Sequence, residues 1–463
     1  MIDSNFISKC KNIFGAENVL TEKADLITYS YDATPGIPRE IPGVVVFPEN
    51  TKQVQEMIFL ARQAKVPIYP RGAGTCLSGG PVPLNKGVVI SFQKMNKIIE
   101  IDPDNLTATV QPGVIIADLN NAVSKYGLLY PPDPGSMATA TVGGSVAENS
   151  GGLRGLKYGV TKHYIMGMEI VLPTGEIFRY GGKTVKNVTA YDFTSLFVGS
   201  EGTLGIITEI ICKLIPTPKY RKSMIAFFDK LEDAGKTVTD IVRAHVIPAT
   251  LEIMDKVTIQ TVENYAKAGL PTDVEALLLI EVDGMGKDSV EWEAENCIEI
   301  IKNNNGKFKI AETDQERDSL WAARRAALPA LAQVKPATIL EDATVPRTKL
   351  VDMLVSIQKI AKKYNLLIGT FGHAGDGNLH PTILIDPLDK DEMERLHKAV
   401  DEIFDVALSF GGTLSGEHGI GIAKLKYLKD EIGRSGVETM RRIKQALDPD
   451  NILNPGKLVP MED

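Results

Sequence analysis

The segment YPRGAGTCLSGG, which runs from Tyr69 to Gly80, is the stretch that decides the fold. It comes directly after two apolar runs, GVVVFP (43–48) and VPIYP (66–70), which predict β-strands on either side of a helix. Glycine lets backbone N–H groups approach an anion closely, so the segment suits an anion-binding loop, with a plain turn as the alternative. It is not a Rossmann fingerprint, because it follows the second strand rather than the first, and it lacks the G-K-[ST] of a Walker A loop.

The rest of the pattern predicts two kinds of domain. The helix between the first two strands, over 50–65, has apolar residues at helical spacing and either Asn50 or Thr51 as its N-cap. From 87 to 215, short apolar runs alternate with Gly, Pro and Asp turns, which is typical of an α+β domain with much β-structure. Residues 221–410 alternate apolar strands with amphipathic helices, which predicts an antiparallel sheet covered by helices.

Two further segments are rich in glycine and small residues. They are PPDPGSMATATVGGSVAENSGGLRGLKYG (131–159) and GSEGTLGIIT (199–208). Together with the first loop they predict a backbone-lined channel for a long, partly charged ligand, for which a dinucleotide is the natural candidate. The alternative is three unrelated glycine loops.

Composition excludes several classes of protein. A chain of 463 residues is long enough for two or three domains, and its net charge of −8 argues against nucleic acid or an anionic membrane as the main partner. The 4 cysteines are scattered, without a C-x-x-C, which fits a reduced compartment and excludes the usual iron–sulfur and Cys-zinc patterns. No stretch approaches 18 apolar residues. We therefore expect a soluble, cytoplasmic protein without direct membrane insertion.

The segment FGHAGDGNLHP (371–381) predicts a β-hairpin that carries a histidine on each arm. Asp376-Gly377 is a strong signal for a two-residue type I′ turn, which places His373 directly opposite His380. Opposed residues have Cβ atoms roughly 5 Å apart on one face, close enough for two imidazoles to share a metal ion. A hydrogen-bonded pair of histidines is the alternative.

A series of motifs then follows in a fixed order: PRGAGT, PPDPGS, TVGGSVAENSGG, LKYG, GSEGTLGI, GHAGDGNLHP, GEHGIG and LDPDNILNPGK. Their order resembles that of the FAD-linked 2-hydroxy-acid dehydrogenases, which include D-lactate dehydrogenase and the glycolate oxidase flavin subunit. The resemblance implies an α+β protein with a vanillyl-alcohol oxidase-type FAD-binding domain over 1–216. An antiparallel-sheet cap domain covered by helices follows over 217–410, and a C-terminal segment, 411–463, returns to the flavin site.

The resemblance also implies which residues contact FAD. A histidine in the first loop attaches the flavin covalently in some relatives of this fold, but Thr75 occupies that position here, so non-covalent FAD is expected. The implied FAD-binding residues are Pro70, Arg71, Gly72, Ala73, Gly74, Thr75, Cys76, Gly79, Pro134, Gly135, Thr141, Gly143, Gly144, Asn149, Gly151, Gly152, Tyr158, Gly159, Ile206 and Asn454.

The same resemblance implies that the hairpin histidines, His373 and His380, bind a metal ion. Glu417 of GEHGIG would be the third ligand. Two imidazoles and a carboxylate leave positions open for substrate, as a catalytic Zn²⁺, Fe²⁺ or Mn²⁺ site needs. Oxidation of a 2-hydroxy acid removes the hydroxyl proton and transfers a hydride to the flavin. A metal lowers the pKa of the hydroxyl, and we expect His418 to be the base that takes its proton.

The substrate carboxylate calls for a cation, and LWAARRAA resembles the Trp-x-x-Arg segment of the family, which indicates Arg324. Arg325 is then interpreted as part of a basic helix face. Relatives that take longer dicarboxylates carry a lysine where Leu340 stands in TILEDATVP. This departure favours a small monocarboxylate, D-lactate first and glycolate as the alternative.

Reduced flavin must pass its electrons on, and the sequence has no NAD, iron–sulfur or haem motif. We therefore expect an external acceptor, which could be an electron-transferring flavoprotein, a quinone or another redox subunit, and a protein partner is the leading expectation. Two other functions remain open. A non-catalytic flavin-binding subunit predicts a degraded set of metal ligands, and a metal-free oxidase of the same fold predicts fast reaction of the reduced flavin with oxygen.

Overall fold

The chain forms two units that exchange segments. A computed structural model describes residues 2–37 and 39–461. Unit 1 consists of Met1–Gly151, Val160–Thr217 and Glu417–Asp463, and unit 2 consists of Gly152–Gly159 and Pro218–Gly416. Residues 152–159, expected in the FAD-binding domain, and 411–416, expected in the C-terminal segment, are therefore both grouped with unit 2.

Several of the helices and strands end beside a glycine or a proline, which are the strongest breaks in the sequence. Up to residue 151 they are α1 (Ser4–Phe14), β1 (Val19–Leu20), α2 (Lys23–Ile27), β2 (Val44–Val46), α3 (Thr51–Ala64), β3 (Ile68–Arg71), β4 (Val88–Ser91), β5 (Ile98–Asp102), β6 (Thr107–Val110), α4 (Ile116–Ser124), β7 (Leu128–Leu129) and α5 (Val142–Glu148). Up to residue 217 they are α6 (Gly155–Tyr158), β8 (Ile165–Val171), β9 (Ile177–Gly181), α7 (Phe193–Phe197), β10 (Ile206–Lys213) and β11 (Ile215–Pro216).

The second half of the chain continues this alternation. Up to residue 416 its elements are β12 (Tyr220–Phe228), α8 (Leu231–Arg243), β13 (Thr250–Asp255), α9 (Lys256–Ala266), β14 (Ala276–Gly284), α10 (Lys287–Asn303), β15 (Lys307–Ile310), α11 (Asp314–Arg325), α12 (Ala327–Leu331), β16 (Ala337–Leu340), β17 (Ala343–Thr344), α13 (Leu350–Lys363), β18 (Leu367–His373), β19 (Asn378–Ile385) and α14 (Lys390–Ser409). The last is α15 (Leu428–Leu447), which is interrupted at Gly433. Short 3₁₀ turns cover Ala16–Asn18, Phe92–Lys94, Thr161–Tyr164, Arg347–Lys349 and Leu425–Tyr427.

Unit 1 contains a partly parallel sheet in the order β1-β2-β4-β3. The predicted strand–helix–strand is β2, α3 and β3, with β4 paired in parallel between the two strands. β2 and β4 are buried throughout, as expected for parallel strands of nearly continuous apolar sequence. Leu453 forms a parallel bridge to Ile68, so the C-terminal residues run along the open edge at β3. A second sheet of unit 1 is antiparallel, in the order β5-β6-β10-β8-β9.

Unit 2 is built on one antiparallel sheet, which has eight strands among the described residues. Its order is β15-β12-β14-β13-β18-β19-β16, and β17 also pairs with β19. Helices α9, α11 and α12 cover one part of it, where Trp321, Leu331 and Phe371 share an apolar core with strand residues. The predicted α+β architecture, with an antiparallel sheet covered by helices, is confirmed. None of the helices in the described ranges is both long and apolar enough to span a bilayer.

The hairpin between β18 and β19 forms, but the predicted register was wrong. His373 pairs with Asn378, and His380 pairs with Phe371. The connection has four residues, 374–377, and not the two residues of a type I′ turn. A type I′ turn needs positive φ at both central positions, and among these four residues Gly377 alone has positive φ, at 83°. The register differs from the predicted one by two residues, and an even shift keeps both histidines on the same face of the sheet.

The N-cap of α3 gives a testable local prediction. Asn50 accepts a hydrogen bond from the N–H of Gln53 at 3.1 Å, which decides between the two predicted caps in its favour. We expect Asn50→Ala to cost about 1 kcal/mol, which corresponds to roughly fivefold faster hydrogen exchange of the α3 amides. Hydrogen-exchange mass spectrometry measures this, with Asn50→Asp as the cap-preserving control. Equal exchange in both variants would contradict the assignment.

Candidate active site

The first glycine loop presents a row of unused backbone donors. The N–H groups of Ala73, Gly74, Thr75 and Cys76 donate no hydrogen bond to any residue that the structure describes. Gly74 has φ of 75°, a conformation that glycine adopts readily, and a Cβ there would overlap the Arg71 side chain. Such a row of N–H groups fits an anion, and the diphosphate of a dinucleotide is an anion of suitable length.

The three glycine-rich segments lie together in unit 1. A Cβ on Gly72 would overlap Thr141 in the second segment, and a Cβ on Gly202 in the third would overlap Pro70. The Asn454 side-chain amide donates to the carbonyl of Gly80 at 3.1 Å. These contacts bring the loops and the C-terminal residues around one region of backbone, as a shared dinucleotide site requires.

Most of the expected FAD-binding residues belong to unit 1, but three do not. Gly152, Tyr158 and Gly159 belong to unit 2, where the Tyr158 hydroxyl donates to the Asp283 carboxylate at 2.8 Å. The Ile206 side chain is buried in the apolar core, and Ile206 pairs with Val171 in the antiparallel sheet of unit 1. The remaining expected residues of unit 1 that have not yet been placed are Gly79, Pro134, Gly135, Gly143, Gly144, Asn149 and Gly151.

The GEHGIG loop, which carries Glu417 and His418, is held firmly within unit 1. Glu201 accepts hydrogen bonds from the backbone N–H groups of Ile420 at 2.7 Å and Gly421 at 2.8 Å. Gly421 has φ of 50°, and a Cβ there would overlap the Ser78 carbonyl. His418 Nε2 lies 3.7 Å from Glu417 Oε1, so both side chains point to one side of the loop.

Unit 2 brings the two hairpin histidines together. The ring centroids of His373 and His380 are 5.1 Å apart, and the rings meet edge to face. Both side chains are buried, at 7% and 3% exposure. Two imidazoles in this arrangement can converge on one ion.

Two carboxylates lie behind these histidines, and sequence analysis did not identify either of them. His373 Nδ1 is 2.7 Å from Glu252 Oε1, and His380 Nδ1 is 3.9 Å from Asp342 Oδ1. Asp342 in turn accepts a hydrogen bond from Ser415 at 2.7 Å. A carboxylate on the Nδ1 side is the usual partner of a metal-binding imidazole, so this donor set fits a divalent metal at the Nε2 atoms.

Arg324 joins the same cluster through Glu252. Its Nε and Nη2 lie 2.8 Å and 2.6 Å from Glu252 Oε2, and its guanidinium stacks on the Phe371 ring at 4.7 Å. Burial acts to raise the pKa of the Glu252 carboxyl, but its electrostatic interactions and hydrogen bonds with His373 and Arg324 outweigh burial, and the pKa is lowered overall. Glu252 is therefore ionised at neutral pH, and the positive charge of Arg324 is compensated within unit 2.

Comparisons with known proteins agree with this arrangement. A family model described as "FAD linked oxidases, C-terminal domain" matches residues 217–458, and one described as "FAD binding domain" matches residues 42–181. The chain belongs to the FAD-linked oxidase family. The resemblance inferred from the motifs is thus confirmed, and FAD is the cofactor that this family membership supports.

Individual relatives of this FAD-linked oxidase cover nearly all of it. It is 50% identical to glycolate oxidase subunit GlcD of Bacillus subtilis over 459 residues, 99% of this chain and 97% of the relative. It is 38% identical to D-lactate dehydrogenase of Anaerostipes hadrus over 428 residues, 90% of this chain and 89% of the relative. The solved structure of p-cresol methylhydroxylase with substrate bound has a TM-score of 0.80 at 19% identity, covering 98% of this chain and 96% of that one, a likeness of fold alone.

Proposed function

We propose that this chain is an FAD- and metal-dependent dehydrogenase of small 2-hydroxy monocarboxylates, with D-lactate as the leading substrate. The observation that carries the proposal is the buried pair His373 and His380, with a carboxylate on the Nδ1 side of each ring. A degraded site, as expected of a non-catalytic subunit, would not retain these partners. Glycolate is the second candidate, because the relative at 50% identity is named as a glycolate oxidase subunit.

In this proposal the metal ligands are His373, His380 and Glu417. Gly416 belongs to unit 2, where a Cβ on it would meet Asn378, the residue paired with His373. Glu417 is the next residue, and consecutive Cα atoms are about 3.8 Å apart, so chain continuity supports Glu417 as the third ligand. The ion would be Zn²⁺, Fe²⁺ or Mn²⁺, since imidazole and carboxylate ligands suit all three.

The protein side chains would then divide the chemistry between them. Bound FAD supplies the hydride acceptor, and a bound divalent metal supplies Lewis acidity toward the substrate hydroxyl. His418 takes the hydroxyl proton, since a neutral imidazole is a suitable base near pH 7. Arg324 orients the substrate carboxylate. Leu340, which stands where relatives that take longer dicarboxylates carry a lysine, supports a monocarboxylate substrate.

The proposal also requires an electron acceptor that reoxidises the flavin. The sequence carries no motif for a second redox centre, so electrons from the flavin would leave to a protein partner, either an electron-transferring flavoprotein or another redox subunit. FAD would be held without a covalent bond, since Thr75 stands at the attachment position. Release of the flavin by acid precipitation of the protein would test that point.

Anaerobic bleaching of the flavin tests the whole proposal. We expect D-lactate, or glycolate in the second case, to bleach the flavin, and L-lactate and D-2-hydroxyglutarate to be much slower. Removal of the metal by a chelator should slow bleaching by about 10²-fold, because the hydroxyl loses its Lewis acid. Added Zn²⁺ or Mn²⁺ should restore the rate. Bleaching that is indifferent to chelation in a metal-free sample would favour the metal-free oxidase instead.

A further inference from the structure

Glu252 lies between two of the proposed functional residues. Its Oε1 faces His373 Nδ1 at 2.7 Å, and its Oε2 accepts hydrogen bonds from Arg324 Nε and Nη2. Strand β13 pairs with β18 through Ile253 opposite Gly372, so Glu252 stands directly opposite His373 in the sheet. The side chain is 1% exposed, so bulk solvent does not compete with these partners.

We infer that Glu252 is a positioning residue that keeps the proton of His373 on Nδ1, so that Nε2 is unprotonated, the form in which it can bind a divalent metal. This inference rests on the proposed function for the identity of the ligand. An ionised carboxylate can only accept hydrogen bonds, and a guanidinium can only donate them. Arg324 therefore holds Glu252 as an acceptor, and the ring nitrogen facing Glu252 must carry a proton.

The chemistry of glutamine makes this testable. In Glu252→Gln, Arg324 still needs an acceptor and takes the single amide oxygen, which turns the amide NH₂ toward His373. Nδ1 then has to accept, and the proton moves to Nε2, where it blocks metal binding. In Glu252→Gln/Arg324→Met nothing else claims the amide oxygen, so it can again accept from Nδ1–H. The second substitution should therefore rescue the first.

Two measurements, neither of which is an enzyme assay, report whether the proton of His373 is on Nδ1 or on Nε2. NMR of ¹⁵N-histidine-labelled apoprotein at about pH 8.5, where imidazole is ordinarily neutral, identifies the tautomer of His373. Competition with a chelator gives the Kd for Zn²⁺ and for Mn²⁺. We expect Nδ1–H in the wild type and in the double variant, and Nε2–H in Glu252→Gln. The single variant should bind metal about 10- to 100-fold more weakly, and the double variant within about threefold of the wild type.

Glu281→Gln is the matched control. Glu281 lies on the neighbouring strand β14 opposite Thr250 and accepts hydrogen bonds from Trp321 at 3.1 Å and Ser223 at 2.6 Å. It is a strand glutamate bonded to the same helix as Arg324, so its substitution should leave the tautomer and metal affinity unchanged. An equal loss in this control would mean that Glu252 acts only through general stability, and would overturn the inference.

Other outcomes are equally decisive. A Glu252→Gln variant that keeps Nδ1–H and wild-type metal affinity, or a double variant as weak as the single one, would overturn the positioning role. The single variant leaves Arg324 buried without a counter-ion and could fail to fold. In that case Glu252→Gln/Arg324→Met, which keeps an acceptor, should bind metal more tightly than Glu252→Leu/Arg324→Met, which has none. A wild-type protein that binds no metal would overturn the proposed function, and the tautomer would then decide the role of Glu252.

Discussion

Replacing His418 with alanine is expected to slow the anaerobic reduction of bound flavin by D-lactate or glycolate by about 10²-fold or more, while FAD stays bound. The reason is that the substrate hydroxyl loses the imidazole that accepts its proton. The loop itself should survive the change, because Glu201 holds it through the backbone N–H groups of Ile420 and Gly421 rather than through His418. Stopped-flow absorbance at saturating substrate gives the rate constant.

A matched substitution separates the loss of a base from the loss of a histidine. His397 is exposed on helix α14, so His397→Ala removes an imidazole that faces solvent. It should reduce the flavin at the wild-type rate. Metal content should be unchanged in both variants. A His418→Ala protein that is reduced within about threefold of the wild-type rate would remove His418 from the mechanism.

Replacing His373 and His380 together with alanine is expected to abolish bound metal. Two of three ligands disappear, and a single carboxylate in water holds a divalent ion weakly. Elemental analysis of the purified protein should fall from roughly one ion per chain to background. Flavin reduction should fall at least as far as in the chelated wild type, and added Zn²⁺ or Mn²⁺ should not restore it.

The control for this variant is His245→Ala/His397→Ala, which removes two exposed histidines from the same unit. That protein should keep its metal and its activity. If the hairpin variant retained stoichiometric metal, the ion would be bound elsewhere, and the pairing of His373 with His380 would be structural.

The sequence predicted what short-range patterns control. The strand–helix–strand at β2, α3 and β3 and the hairpin at β18 and β19 follow from apolar spacing and turn residues, whereas the choice between Asn50 and Thr51 as the cap of α3 required the structure. The hairpin register does not, because the Asp-Gly signal specifies a turn without fixing its length. Only tertiary contacts show that a Cβ on Gly377 would overlap the Val345 carbonyl, a constraint absent from the local sequence.

Glu252 and Asp342 are site residues that the sequence did not reveal. Their histidines are 121 and 38 positions away in the chain, and no local rule relates residues at that separation. The one available signal concerned Glu252, which lies inside the apolar strand TLEIMD, where all six residues, including Asp255 at its end, are buried. A buried carboxylate needs partners, so such a residue indicates a polar cluster, although the sequence does not say with what.

The bridge between Leu453 and Ile68 has a consequence for how the protein is made. A ribosome releases residue 68 long before residue 453, so during synthesis the edge of the first sheet remains without the partner strand that is translated much later. Until then β3 presents unpaired backbone groups, a state that invites aggregation. Unit 1 can complete this sheet only after Leu453 has left the ribosome, and nascent chains that stall before that residue should depend on chaperones.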